Sequence, residues 1–361
     1  MLSARPEIDS LVLYQPGRSL NDARTASGRV EMIKLASNES LWGPSPLAVE
    51  AVRRAALELQ YYPLVQDPGL AAKLARMHQM DQDQLVVGSG ADELLRLVAS
   101  AYVSPGDEVV YPYPSFSAYR HATLVAGGTP REVPLAPDGS TDMDALLTAI
   151  TPRTRVVYVC TPNNPTGGAV SPAAWQRYLE RVPDSVLTVV DGAYLEYSLE
   201  SPDYLEAVRA GRAVVVVRTF SKLYALAGLR IGWAAAPSDV VKSLMKVREP
   251  FSVSALAVEA AKASLEDQAF FDRVRAETLQ SRSRFMEALR ARSQRFYPSA
   301  TNFVAVSVDR ESSTAEALVQ EGFVVRPAGA FGLPGHLRIT MGPWPIMEQF
   351  LGAFDRVMGA S

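Results

Sequence analysis

The sequence has very little cysteine and histidine. Cys160 is the single cysteine among 361 residues, which excludes an internal disulfide and is typical of a reducing compartment. The three histidines, His78, His121 and His336, are far apart and show no metal-ligand spacing. We therefore predict no metal site and a cytoplasmic location.

The sequence also lacks an excess of charge of either sign. Its 36 Lys and Arg oppose 39 Asp and Glu, a formal net charge of -3, and the arginines are scattered among acids. This balance argues against a nucleic-acid or anionic-lipid partner. No apolar run approaches the roughly 18 residues of a membrane span, and the start has no signal-peptide pattern. A small molecule is the expected partner.

Short β-branched runs alternate with helical patterns over residues 85–236. The runs are largely apolar throughout, as strands buried on both faces of a mainly parallel sheet require. They are Leu85–Val87, Glu108–Val110, Val156–Cys160, Val186–Val190, Val214–Val217 and Ile231–Ala235. This pattern predicts a doubly wound α/β domain.

Beyond Pro250 the pattern changes to long helices, then short strands and a closing helix, which predicts a smaller α+β domain. The first 30 residues lack a periodic pattern and predict an arm packed on another part of the protein. We predict an arm of residues 1–30, a large domain of residues 31–250 and a small domain of residues 251–361.

Polar residues at the ends of predicted strands match the needs of a pyridoxal 5'-phosphate (PLP) site. Lys222 follows one strand and supplies an amine for the imine, while Asp191 ends another and suits the pyridine nitrogen. Asn164 and Tyr194 are candidate donors to the ring oxygen. Taken singly, each has a commoner interpretation, such as a surface lysine or a capping aspartate.

The run Gly88–Glu93 lies between a predicted strand and a helix, so backbone N–H groups there can face a phosphate. Glu93 stands where a dinucleotide fingerprint has its third glycine, which disfavours that motif. Thr219, Ser221 and Arg230 are further donors. Phe116 could stack on the pyridine ring, although an aromatic there is by default a core residue.

With these residues in place, the chain resembles the aminotransferases of PLP fold type I, and within them the histidinol-phosphate aminotransferase family. The resemblance covers residues 14–342. The motifs that carry it are Tyr14–Gly17, Leu35–Glu39, Tyr62-Pro63, Gly88–Glu93, Pro162–Gly167, Asp191–Tyr194, Arg218–Lys222, Ala227–Gly232, Thr301–Phe303 and Leu337–Ile339.

The resemblance implies a role for each matching residue. Lys222 is the Schiff-base lysine, Asp191 the pyridinium partner, and Asn164 and Tyr194 the ring-oxygen donors. The implied phosphate ligands are Ala91, Asp92, Thr219, Ser221 and Arg230. Tyr62 matches a tyrosine that reaches the partner subunit's cofactor, which implies a homodimer with shared active sites. The implied substrate-binding residues are Arg338, Arg326, Tyr14, Asn38 and Asn164.

Three departures from the family pattern bear on the substrate. Gly192 stands where a glutamate usually follows the pyridinium aspartate, Ser40-Leu41 replaces an asparagine-proline, and Gly342–Pro345 replaces an acidic run. No departure removes a group that the chemistry needs.

The predicted reaction is transamination between an amino donor, best histidinol phosphate, and 2-oxoglutarate by a ping-pong mechanism, with Lys222 as proton shuttle. One alternative is an aromatic amino acid aminotransferase. A second is a PLP decarboxylase or lyase like the threonine-phosphate decarboxylases. A third is a non-enzymatic PLP-fold binding module, which would usually carry a fused DNA-binding segment or a lost lysine.

Overall fold

The computed structural model describes residues 5–9, 11, 13 and 17–359. The strands are β1 (Ile33–Lys34), β2 (Leu85–Gly88), β3 (Glu108–Tyr113), β4 (Thr129–Pro134), β5 (Thr154–Cys160), β6 (Leu187–Asp191), β7 (Val214–Thr219), β8 (Gly232–Ala235), β9 (Phe303–Ser307), β10 (Phe323–Val324), β11 (Arg326–Pro327) and β12 (His336–Thr340).

The α-helices are α1 (Pro6–Asp9), α2 (Leu20–Ser27), α3 (Pro46–Ala55), α4 (Pro68–His78), α5 (Gly90–Tyr102), α6 (Ala118–Val125), α7 (Met143–Ala149), α8 (Pro172–Arg181), α9 (Tyr204–Arg209), α10 (Ser238–Val247), α11 (Ala255–Ser264), α12 (Gln268–Ala291), α13 (Glu311–Gln320) and α14 (Trp344–Gly359). Single 3-10 turns lie at Ala56–Glu58, Gln82–Gln84, Leu195–Tyr197, Ala227–Leu229 and Gly329–Phe331. No helix in these ranges is long and apolar enough to cross a membrane.

The large sheet has seven strands in the order β2-β8-β7-β6-β5-β3-β4. β8 runs antiparallel to β2 and β7, and the remaining pairs are parallel. Valine-rich strands with helices packed on both faces bury the sheet, as the apolar runs predicted. The predicted α/β fold, with a doubly wound and mostly parallel sheet, is therefore confirmed.

The parallel register brings three strand ends together at one edge of this sheet. Cys160 at the end of β5 pairs with Asp191 at the end of β6, and Asp191 pairs with Val217 of β7. Ligands in open α/β sheets bind outside the carboxyl ends of such strands. The edge formed by β5, β6 and β7 is thus where functional side chains are expected.

No apolar run in the sequence predicts β4. It lies at the end of the strand order, and Val133 is its single buried residue. An edge strand of this kind carries no apolar run, so its sequence resembles a loop.

The C-terminal part contains a three-stranded antiparallel sheet of β11, β12 and β9. Its core is formed with α12 and α14, including Phe285, Phe350 and Phe354. Arg326 of β11 and Arg338 of β12 are directly paired residues in this sheet. The boundary between the two domains stays a prediction.

Part of the N-terminal segment reaches the C-terminal sheets. β1 pairs in parallel with β10, and Leu35 packs in the C-terminal core. α2, in the stretch without a periodic pattern, has the Ser19 side chain as N-cap and Gly28 at φ +69° as C-cap. The Leu35 carbonyl accepts from the Thr340 backbone N–H at 2.9 Å, so the residues that follow β1 lie next to the end of β12.

Candidate active site

Asp191 at the end of β6 is almost completely buried. Its carboxylate accepts hydrogen bonds from the Tyr119 hydroxyl at 2.7 Å and from the Ala193 backbone N–H at 3.1 Å. Burial raises the pKa of Asp191 to about 6, although both hydrogen bonds act to lower it. No Lys, Arg or His within the described ranges forms an ion pair with it. Such an acid suits a cationic ligand group.

Lys222 lies just beyond the end of β7. Its Nζ atom is 5.5 Å from the centre of the Tyr194 ring. Burial and then the positive charge of Arg338 lower the pKa of Lys222 to about 8, while Asp92 and Glu39 act in the opposite direction. A large fraction of the amine is therefore neutral in mildly alkaline solution, as a nucleophile or general base requires.

Tyr194 is held from the N-terminal segment. The Asn38 side-chain amide donates to the Tyr194 hydroxyl at 2.8 Å, and the Asn38 backbone N–H donates to Thr340 Oγ1 at 3.0 Å. Asn302 donates to the Asn38 carbonyl at 3.1 Å. Asn38 has φ +56°, a conformation that asparagine tolerates better than most residues. These bonds orient the tyrosine beside Lys222.

The loop between β2 and α5 forms one wall of the predicted phosphate cradle. α5 begins at Gly90, and its N-cap, Ser89, makes no side-chain capping bond. Gly90 has φ +79°, and a Cβ atom there would lie 2.6 Å from Arg230 Nη2. Glycine is therefore required both for the backbone conformation and for the close approach of the guanidinium. The first N–H groups of α5, at Ala91 and Asp92, are free of intrahelical bonds.

The opposite wall comes from β7 and the segment before β8. Thr219 Oγ1 accepts a bond from the Ser221 backbone N–H at 3.1 Å, and Arg230 Nη1 donates to Ser221 Oγ at 3.4 Å. Arg230 Nη2 also lies 3.2 Å from the exposed Asp92 carboxylate. Two hydroxyls, a guanidinium and a helix N-terminus thus lie close together.

Arg338 is buried between the two sheets. Its Nη1 donates to Asn164 Oδ1 at 2.6 Å and its Nη2 donates to the Ala36 carbonyl at 2.9 Å. Its guanidinium lies 4.8 Å from the centre of the Phe331 ring, and the Arg326 guanidinium lies 5.1 Å from the same ring. The structure therefore brings Asn164, Arg326 and Arg338 together.

Three further predicted residues are not part of this cluster. Phe116 packs edge-on against Tyr119 at 6.0 Å, next to the partner of Asp191. Tyr62 is 84% exposed and stacks on Phe251 at 5.1 Å. Tyr14 lies outside the described residues.

No sequence pattern assigned a role in the site to Tyr119, Thr340 or Asn302. Tyr119 lies in the first turn of α6 and is fully buried, and its hydroxyl donates to Asp191 at the end of β6. Its one sequence signal is its position shortly after Phe116. Asn302 belongs to the motif Thr301–Phe303, and Thr340 directly follows the motif Leu337–Ile339. The resemblance gave neither residue a role.

The charges and positions of these residues fit PLP. The buried Asp191 carboxylate calls for a cation, and the cradle around Gly90 and Arg230 calls for an anion. Lys222, whose pKa is lowered, supplies an amine near both. A pyridinium and a phosphate on one molecule meet both requirements.

Comparison with known proteins agrees with this geometry. The profile of the family "Aminotransferase class I and II" matches residues 30–354. A histidinol-phosphate aminotransferase of Moorella thermoacetica is 39% identical over 98% of this chain and 92% of its own length. One of Symbiobacterium thermophilum is 38% identical over 99% of both chains.

The crystal structure of a histidinol-phosphate aminotransferase from Sinorhizobium meliloti in complex with pyridoxal-5'-phosphate has a TM-score of 0.88. It is 29% identical, with 98% of this chain and 97% of that chain covered. The chain therefore belongs to the class I and II aminotransferases, which are PLP-dependent transaminases, and within them to the histidinol-phosphate aminotransferase family.

Proposed function

We propose that the protein transfers an amino group from histidinol phosphate to 2-oxoglutarate by a ping-pong mechanism. The observation that carries this choice of donor is the arginine pair of the small sheet. Arg326 and Arg338 are paired across β11 and β12, both are buried, and both lie over the Phe331 ring.

Two adjacent guanidinium groups favour a ligand with more than one negative charge. A phosphate monoester carries close to two charges at neutral pH, and its oxygens accept from several N–H donors. A carboxylate of 2-oxoglutarate occupies the same place in the second half-reaction. One anion site therefore serves both substrates.

Lys222 is the proposed attachment point of the cofactor and the group that moves the proton. PLP supplies, when bound, a ring that accepts the electrons released at the substrate carbon. The pKa of about 8 leaves a neutral fraction of the Lys222 amine at physiological pH, so Nζ can take a proton and return it.

The remaining residues hold the ring in place. Asp191, kept in position by Tyr119, would pair with the ring nitrogen, and Tyr194 and Asn164 would donate to the ring oxygen. Phe116 would cover the ring. The N–H groups of Ala91 and Asp92 and the side chains of Thr219, Ser221 and Arg230 would hold the phosphate.

The donor is tested by single half-reactions. Purified enzyme loaded with PLP is mixed with histidinol phosphate, phenylalanine, tyrosine or glutamate, and the loss of the yellow absorption band is followed. We expect histidinol phosphate to react with the highest kcat/KM. Release of carbon dioxide from phenylalanine, tyrosine or glutamate, in place of a keto product, would instead support the lyase alternative.

A matched pair of variants sharpens this test. Arg326→Gln should raise KM for histidinol phosphate by about tenfold or more, and raise KM for 2-oxoglutarate less, because the phosphate has the second charge. Equal effects on both substrates would contradict a dianion site. Arg284→Gln, at an exposed arginine over Trp344, serves as the control.

An aromatic amino acid aminotransferase is the second candidate. Trp42 and Phe303 pack around Tyr194, and the Phe303 ring meets the Tyr194 ring edge-on at 5.2 Å. This apolar wall suits an imidazole as well as a phenyl ring. Faster turnover of phenylalanine or tyrosine than of histidinol phosphate, at equal concentration, would select this candidate.

We also propose a homodimer with shared active sites. Exposed apolar side chains cluster in the segment around Tyr62, where Leu57, Leu59, Tyr61 and Leu64 are each more than 60% exposed. Such a patch is typical of an interface. A cytoplasmic location stays a prediction.

Mixed subunits test the sharing of sites. Subunits with Tyr62→Ala and subunits with Lys222→Ala, inactive or impaired alone, should regain part of the activity when unfolded together and refolded. One site of each heterodimer then has both residues. Full activity of a monomer in sedimentation would exclude this assembly.

A further inference from the structure

A buried ion pair lies directly behind the candidate active site. Arg218 Nη2 is 2.8 Å from Glu196 Oε1, and the two side chains are 16% and 7% exposed. Arg218 immediately precedes Thr219, near the end of β7, and Glu196 lies in the 3-10 turn that follows Tyr194. The pair therefore connects the segment of Lys222 with the segment of Asp191 and Tyr194.

Arg218 and Thr219 point to opposite faces of the sheet, because successive side chains of a strand alternate. On the face of Arg218 lies a cavity of about 250 Å³, which Val216 and His78 also line. The Trp233 ring, from the paired position on β8, lies 5.8 Å from the Arg218 guanidinium. Arg218 acts from behind the site and does not line the phosphate cradle.

The 3-10 turn Leu195–Tyr197 is held by three arginines. Besides the Arg218 bond to the Glu196 side chain, Arg275 Nε donates to the Glu196 carbonyl at 2.5 Å, and Arg282 Nη1 donates to the Tyr197 carbonyl at 3.2 Å. Arg275 and Arg282 are two turns apart on α12 and so share a face. Arg218 is the one of the three that comes from the strand leading to Lys222.

Glu196, and not a side chain at position 192, supplies the acid that pairs with Arg218. A Cβ atom at Gly192 would lie 2.4 Å from Leu195 Cδ1 and 3.1 Å from Arg218 Cδ, so Leu195 occupies the space of a side chain there. The glutamate of the family pattern is absent at this position. Within the described residues, Glu196 is the carboxylate that forms an ion pair with Arg218.

We propose that Arg218 and Glu196 form a positioning pair for the transamination, which sets Tyr194 against Lys222 and the cofactor ring. The inference rests on the proposed roles of Tyr194 and Lys222. Removing one charge leaves the other buried and unpaired, so the turn moves relative to β7. The Tyr194 hydroxyl then no longer meets the ring oxygen correctly, while Arg326 and Arg338 still bind the substrate anion.

The test compares Glu196→Gln, Arg218→Met and the double variant with wild type, all loaded with PLP. The first measurement is the pH midpoint of the visible absorption band of the bound cofactor. A weakened donor to the ring oxygen should raise this midpoint by about half a unit or more. The second is the donor half-reaction, in which kcat should fall about tenfold while KM changes less than about twofold.

Coupling and conservative rescue complete the design. The double variant should be no worse than the more damaged single variant, because the two side chains act as one unit. Arg218→Lys, which keeps the charge, should give values between those of wild type and Arg218→Met. The thermal unfolding of each apoprotein is recorded so that only folded variants are compared.

Glu108→Gln is the matched control. Glu108 is a buried acid that pairs with Arg131 and Arg153 at the start of β3, the opposite end of the sheet from the site. Its loss should lower the unfolding temperature without changing the pH midpoint. A folded Glu196→Gln enzyme with an unchanged midpoint and kcat would overturn the positioning role. Failure of wild type to transaminate any donor would instead overturn the proposed function.

Discussion

The two halves of the candidate site are built in different ways. The cofactor half lies at the edge of the large sheet, where Asp191 and Thr219 end neighbouring strands and Lys222 follows one of them. The anion half lies on β11 and β12, and Arg338 there contacts Ala36 and Asn164, which come from distant parts of the chain. The first half depends on strand register, the second on long-range packing.

This difference shows which interactions bind the halves into one site. The hydrogen bond from Arg338 to Asn164 links them directly, and Asn38 links them through its bonds to Thr340 of β12 and to Tyr194. The charge of Arg338 is also the second cause of the low pKa of Lys222. A substitution in one half is therefore expected to change the geometry or the pKa values of the other half.

The largest expected effect comes from breaking the cofactor half at Lys222. Lys222→Ala should lower kcat by about four orders of magnitude or more, because the amine proposed for the imine and for the proton transfer is removed. The phosphate cradle is separate from the amine, so PLP should still bind, as absorption after dialysis can show. Lys246→Ala, on the exposed face of α10, is the control. Near wild-type turnover would refute the assignment.

Asp191→Asn should break the same half through charge. An uncharged partner no longer stabilises a protonated ring nitrogen, so the barrier should rise by several kcal/mol and kcat should fall about a thousandfold. Stopped-flow measurement of the donor half-reaction gives this value. An unchanged rate would make Asp191 a structural capping residue.

The same variant should stabilise the apoprotein. Because the pKa of Asp191 is about 6 in the folded state against 3.8 as reference, ionisation of this acid opposes folding as pH rises from about 4 to 6. Asp191→Asn should therefore raise the free energy of unfolding by about 3 kcal/mol at pH 8, with little gain near pH 4. Urea titrations at both pH values measure the difference. A gain that is independent of pH would contradict this cause.

Arg338→Ala breaks the anion half. It should lower kcat/KM for both substrates by two to three orders of magnitude, about 3 to 4 kcal/mol, since a charge-assisted pair is lost. Arg338→Lys should recover only part of this loss, because an ammonium lacks the planar fork. The pKa of Lys222 should rise in Arg338→Ala, and the alkaline shift of the pH-rate profile reports it. A pH-rate profile without a shift would show that Arg338 does not influence Lys222.

The smallest effect is expected at a link between the halves. Tyr194→Phe removes the hydroxyl that accepts from Asn38 and that we propose to donate to the ring oxygen. The loss of one hydrogen bond should lower kcat by about tenfold, roughly 1.4 kcal/mol, with little change in KM. Asn38→Ser should reproduce part of this loss, since it releases the tyrosine without removing it. A wild-type rate in both variants would show that the link is dispensable.

Much of the cofactor half could be predicted from the sequence. Each buried strand is an apolar run, and polar residues that end such runs in a parallel sheet must lie at one edge. Lys222 and Asp191 could therefore be placed with motifs alone. Tyr119 could not, because its partner lies in another layer and nothing in its neighbours identifies the contact.

The amino-acid sequence by itself determined the fold class and the chemistry available at the strand ends, because both follow from local patterns. Only the tertiary structure decided that Asn38 reaches Tyr194, that Arg326 lies opposite Arg338, and that Glu196 pairs with Arg218. These contacts join residues whose separation in sequence carries no signal. They exist because two sheets and the N-terminal segment pack around one site. No short sequence motif predicts such contacts between residues that are far apart in the chain.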